Sequence, residues 1–101
     1  MRSRFAAYSG GLVDYIIATT DPEGPQWNVE REAWVSGIEM FCRDTRFEGL
    51  TILEAPPPVG DHATVTFRAV LSRDGQDASF VEKSSFRRFD GRWYYVEGAP
   101  E

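Results

Sequence analysis

Ser79-Phe80-Val81-Glu82-Lys83-Ser84-Ser85-Phe86-Arg87-Arg88-Phe89-Asp90-Gly91-Arg92-Trp93-Tyr94-Tyr95-Val96-Glu97 decides the fold. Asp90-Gly91 is a two-residue hairpin signal between two runs of strand-forming residues. It predicts strands over Ser79–Phe89 and Arg92–Glu97. It also pairs Phe89 with Arg92, Arg88 with Trp93, Arg87 with Tyr94 and Phe86 with Tyr95. Upstream, His62–Arg73 alternates between apolar and polar residues, the period of a half-buried strand. A turn at Asp74-Gly75 pairs Leu71 with Ala78, Ala69 with Phe80, Phe67 with Glu82, Val65 with Ser84 and Ala63 with Phe86. Residues directly opposite one another share a face, so each turn checks the other. The two registers agree. Ala63, Val65, Phe67, Ala69, Leu71, Phe80, Phe86, Trp93 and Tyr95 fall on one face. Thr64, Thr66, Arg68, Lys83, Ser85, Arg87, Arg92 and Tyr94 fall on the other.

The same registers force Glu82 onto the apolar face, across from Phe67. An ionised carboxylate there is costly unless a base or hydrogen-bond donors meet it. Two arrangements satisfy the physics. Arg4 or Arg2 can pair with it, with Tyr8 or Ser3 helping. Alternatively it lines a wet pocket with a raised pKa, as a general acid or base does.

Working outward, Phe47–Ala55 reads as a further strand, ended by Pro56-Pro57-Pro58. The first twenty residues read as helix, with Phe5, Tyr8, Leu12, Tyr15, Ile16 and Thr19 on one stripe. Gly10-Gly11 predicts a break or kink in it. Asp21-Pro22-Glu23-Gly24-Pro25 ends the helical region. A second helix is expected from an Asn28 N-cap to about Cys42, burying Trp34, Ile38 and Phe41. Helices covering one face of a sheet give an α+β fold. The expectation is a curved antiparallel sheet of about four strands, covered on one face by N-terminal helices, with a cone-shaped cavity between.

The chain has 101 residues and a formal net charge of −5. That length suits one domain, 1–101, of ordinary globular composition. The acidic total argues against a nucleic-acid binder, although Lys83, Arg87 and Arg92 form a basic stripe with Tyr94. Residues 21–61 hold nine acids and three bases, so the charge is uneven. One cysteine excludes a disulfide framework, and Cys42 reads as a core residue. Nothing approaches the roughly 18 apolar residues of a membrane span. The start lacks the apolar segment of a secretory signal. A cytoplasmic protein is the expectation. His62, the only histidine, sits on the polar face with no ligand partner near it, so no metal site is expected. Ser84 lies beside Glu82 without a histidine base. No phosphate loop or dinucleotide fingerprint is present.

Three stretches resemble a known family. Met1-Arg2-Ser3-Arg4-Phe5-Ala6-Ala7-Tyr8, Asp14-Tyr15-Ile16-Ile17-Ala18-Thr19, and Phe86-Arg87-Arg88-Phe89-Asp90-Gly91-Arg92-Trp93-Tyr94-Tyr95-Val96-Glu97-Gly98 look like the YchJ-like proteins of bacteria. The resemblance implies a fold like nuclear transport factor two, a curved sheet wrapped round helices. Relatives often carry Cys-rich SEC-C segments thought to bind zinc. Neither occurs here, so the resemblance carries over no zinc and no other cofactor. The family's Trp-His-Pro at the end of the first helix is Thr20-Asp21-Pro22 in this chain. The family's strand acid matches Glu82.

The functional expectation is a non-catalytic module that binds a partner protein or a small ligand between helices and sheet, with a homodimer as one possible form. The pocket is expected from Arg4, Tyr8, Trp34, Phe67, Glu82, Ser84, Trp93 and Tyr95. The alternative is an enzyme in which Glu82 is the general acid or base and Arg4 orients an anionic substrate. A third reading, an accessory domain near RNA, rests on the basic stripe and the relatives' zinc segments.

Overall fold

The computed structural model describes residues 1–101. Three helices, α1 (Arg2–Ser9), α2 (Val13–Ala18) and α3 (Arg31–Asp44), precede five strands. These are β1 (Arg46–Glu54), β2 (His62–Arg73), the short β3 (Gln76–Asp77), β4 (Phe80–Phe89) and β5 (Arg92–Pro100). They form one antiparallel sheet in the order β1-β2-β4-β5, with β3 paired to β2. The α+β expectation holds, and so does the register of both hairpins. Ala63 faces Phe86, Val65 faces Ser84, Phe67 faces Glu82 and Ala69 faces Phe80. Phe86 faces Tyr95, and Phe89 faces Arg92. Both turns have positive φ at two successive residues, Asp74-Gly75 (52° and 77°) and Asp90-Gly91 (52° and 74°). That is the type I′ geometry whose twist matches the strands it joins.

Local chemistry explains the departures from the expected element bounds. Ser79 lies outside β4 because its side chain intrudes on the ladder. Its Oγ accepts from the Leu71 N–H (3.0 Å), and its own N–H donates to Asp77 Oδ1 (2.9 Å). Asn28 does not cap α3. Its Oδ1 accepts from the Glu30 N–H in a turn before the helix, which begins at Arg31. At the Gly10-Gly11 break, Gly11 has φ +68° and α2 sets off in a new direction. The single expected stripe therefore fails at Leu12 and Tyr15 and holds at Ile16. Leu12 and Tyr15 are exposed, while Ala7, Ile16 and Ile17 are buried.

The sheet curves because three residues are bulged out of its ladders: Glu48 and Leu53 in β1, and Val96 in β5. The last resets the alternation of β5. Before it, Trp93 and Tyr95 point inward by strict period. Strict period would send Glu97 inward as well. With Val96 bulged, Glu97 pairs with Ser85 on the outer face, and Gly98 pairs with Ser84 on the inner face. β5 thus runs on to Pro100, past the expected end.

The core is split. One cluster belongs to the helices: Ala7, Ile16, Ile17 and Ile38, with Tyr8, Trp27 and Trp34 packed on it. The other belongs to the sheet: Phe67, Ala69 and Leu71, with Phe5, Phe41 and Phe47 packed on it. The two do not fuse, and a cavity remains between them.

Candidate functional site

The cavity has a volume of about 500 Å³. Phe67, Ala69, Leu71 and Phe80 form its floor on the sheet. Trp34, Ile38 and Phe41 come down from α3, where spacings of four and three place them on one face. Gly37, on the same helix, borders the space, and a Cβ there would meet no atom within 4 Å. Arg4 and Tyr8 enter from α1, one turn apart, and Tyr95 and Glu82 from β5 and β4. Six of the eight residues expected at a pocket, Arg4, Tyr8, Trp34, Phe67, Glu82 and Tyr95, therefore line this one. Ser84 does not: it is fully buried beneath Glu82 and donates its Oγ–H to Glu82 Oε2 (2.8 Å). Trp93 lines a second cavity of about 370 Å³, whose wall also includes Arg4 and Tyr95.

The expected Arg4–Glu82 pair does not form. Arg4 is 5% exposed, and its Nη1 is occupied elsewhere. It donates to the Ile16 carbonyl (3.1 Å), to Thr19 Oγ1 (2.6 Å) and, at longer range, to Thr20 Oγ1 (3.5 Å). All three acceptors sit at the C-terminal end of α2, which faces Arg4 because of the Gly10-Gly11 break. The guanidinium carbon lies 4.4 Å over the Tyr95 ring and 6.0 Å over the Tyr8 ring. Nor does Arg2 help, since it is exposed and takes no part in an ion pair. Ser3 accepts instead from the Tyr15 hydroxyl (2.7 Å).

Glu82 is held from its own sheet. Its carboxylate accepts from the Ser84 hydroxyl, and the Tyr95 ring borders the same cavity. The side chain lies directly on Gly98 of β5, where a Cβ would overlap the carboxylate. Sequence alternation alone did not reveal Gly98, because the bulge at Val96 is what turns it inward.

Burial shapes the titration of the site. It pushes the Tyr95 phenol well above its ordinary value, and the negative charge of Glu82 pushes it further. Burial raises Tyr8 too, with Arg4 opposing. Arg4 is lowered by burial, partly offset by Tyr8 and Tyr95. Both phenols thus hold their protons as donors, between an arginine and a carboxylate that do not neutralise each other.

Elsewhere, His62 is exposed on the polar side. Cys42 is half-buried against the helical cluster. No three His, Cys, Asp or Glu side chains gather at one point. The expected basic stripe is broken in the middle, because Arg87 is bound to Asp21 (2.9 Å) and Glu23 (3.0 Å). No helix is long and apolar enough to cross a membrane.

The family model of the YchJ middle NTF2-like domain matches residues 1–98. A UPF0225 protein of Pectobacterium carotovorum is 36% identical over 97% of this chain, which spans 63% of that relative. The solution structure of a SEC-C motif containing protein from Rhodopseudomonas palustris superposes with a TM-score of 0.84 at 36% identity. That match covers all of this chain and 75% of the other. A protein with a cystatin-like fold from Caulobacter vibrioides, at 18% identity and a TM-score of 0.69, covers 93% of this chain and 78% of its own. It shows the fold alone.

Proposed function

The chain belongs to the family of the YchJ middle domain, and on that fold we propose a non-catalytic module that holds a small molecule in the cavity between helices and sheet. One observation carries this reading. The helical and sheet clusters leave about 500 Å³ between them, a volume within the range of small-molecule sites. Its walls are mainly aromatic and aliphatic, its polar side chains are Arg4, Tyr8, Gln26, Asn28, Glu82 and Tyr95, and Arg4 lies over the rings of Tyr8 and Tyr95. Apolar walls supply affinity and a small number of fixed polar groups supply orientation.

The test uses N-phenyl-1-naphthylamine, a neutral apolar fluorophore, and the variant Gly37→Phe. The new side chain would enter the cavity, and glycine is the poorer helix former at that position. We expect saturable fluorescence enhancement with the unaltered chain and at least tenfold weaker binding by Gly37→Phe, with the circular dichroism unchanged. Equal binding by both, or none by either, overturns the reading.

A second reading is favoured by the carboxylate of Glu82, which faces the cavity with no base neutralising it. There it would act as general acid or base in an enzyme. Release of a bound compound unchanged supports the binding module. Product that accumulates with the unaltered chain and not with Glu82→Gln supports the enzyme.

A further inference from the structure

Arg4 is a buried cation with no anionic partner. A guanidinium carries five N–H donors. Both donors of Nη1 are shared among Ile16, Thr19 and Thr20. The three N–H groups of Nη2 and Nε donate to no side chain or carbonyl. The four ion pairs of the chain are Arg43–Asp44, Arg87–Asp21, Arg87–Glu23 and Arg88–Asp61, and none includes Arg4. Yet Arg4 is 5% exposed, and it borders both cavities. A buried cation without an anion is costly, and truncating either member of a well-paired site would normally be the damage that creates one. Here the protein is built that way, with Glu82, the acid that lines the same cavity, held by Ser84 instead.

We propose that Arg4 is the anchor for an anionic group, so that the ligand is an organic carboxylate whose apolar body fills the larger cavity. This rests on the binding reading above and adds the ligand's charge. The free edge of a guanidinium fits a carboxylate through two parallel hydrogen bonds. The phenol of Tyr8 borders the same cavity as a further donor. Phe67, Phe80 and Trp34 pack against the body of the ligand. Glu82, beyond the Tyr95 ring, disfavours a second negative charge and accepts from a donor on the ligand. A monoanion is therefore preferred over a dianion.

The test compares 2-naphthoate with 2-naphthamide, which share a body and differ in charge. Calorimetry measures affinity, and the Arg4 Nε–H signal of the isotope-labelled chain reports the site by NMR. We expect 2-naphthoate to bind at least tenfold more tightly and to move the Arg4 signal. Glu82→Gln should raise its affinity severalfold and leave that of 2-naphthamide unchanged. Arg4→Met, if folded, should bind the two equally. Equal affinities in the unaltered chain, or 2-naphthoate binding that leaves the Arg4 signal in place, overturn the proposal while the cavity reading stands. Binding of neither compound overturns both.

Discussion

The chain treats two arginines in opposite ways. On the outer face of the sheet, Arg87 grips Asp21 through two hydrogen bonds of 2.9 Å and reaches Glu23 at 3.0 Å. Asp21 is buried, and the pairing holds its carboxyl below the usual carboxylate value. This clamp fastens the segment after α2 to the sheet. Beside it, the Asp21 N–H donates to the Tyr95 carbonyl and the Tyr95 N–H to the Thr19 carbonyl. On the inner face, Arg4 and Glu82 flank the same Tyr95 and remain apart. Charges that meet on the outside fasten the fold. Charges kept apart inside remain available to something else, at a cost in stability.

That contrast can be broken most forcefully at the clamp. Asp21→Ala removes both charged hydrogen bonds to Arg87 and should destabilise the fold by roughly 1–3 kcal/mol in denaturant melts. It should also flatten the acid limb of the stability profile. Because the folded carboxyl of Asp21 is depressed, its contribution is present above the unfolded value near pH 4 and is lost as pH falls from there through the lower folded value. A variant melting like the unaltered chain at neutral pH would show the clamp to be decorative.

At the alkaline end the inner face should dominate. The Tyr95 phenol is raised in the folded state, so its contribution is complete below the unfolded value near 10 and is lost as pH rises beyond it. Tyr95→Phe should therefore lose less stability between neutral and strongly alkaline pH than the unaltered chain. Urea midpoints across that range measure it.

Arg4→Met sharpens the contrast further. Thr19 and Thr20 already donate to backbone carbonyls within α2, so the variant leaves no new unpaired donor. It should stay within about 1 kcal/mol of the unaltered chain, since exchanging an uncompensated buried charge for an apolar chain of similar length is often neutral or better. A loss as large as that of Asp21→Ala would show Arg4 to be a fastening as well. A further modest effect is expected from Gly98→Ala. The added methyl meets the Glu82 carboxylate and displaces it from Ser84, so stability in the melt should fall by about 1 kcal/mol while the Glu82 carboxylate signal moves in NMR.

The sheet was legible because two Asp-Gly turns each set a register, and the registers had to agree. Period-two alternation then delivered Phe67, Glu82 and Tyr95 to one face without knowledge of the helices. The helices were less legible. Spacing found α1 and α2, but the angle between them depends on one positive φ at Gly11, which periodicity does not encode. That angle gives Arg4 its three oxygens and takes it from Glu82. The pocket's aromatic wall followed from burial pattern. The partner of Glu82 did not, because Ser84 lies two residues away on the same strand and the attractive guess was a distant opposite charge.

Val96 has a consequence for chain length. Removing it alone would straighten β5 and leave Gly98 still across from Ser84. An equal loss from β4 at Ser85 would instead rotate Glu82 out toward solvent and bring Lys83 inside. Two neighbouring strands therefore differ in their tolerance of a missing residue: one holds a spare, and the other has none.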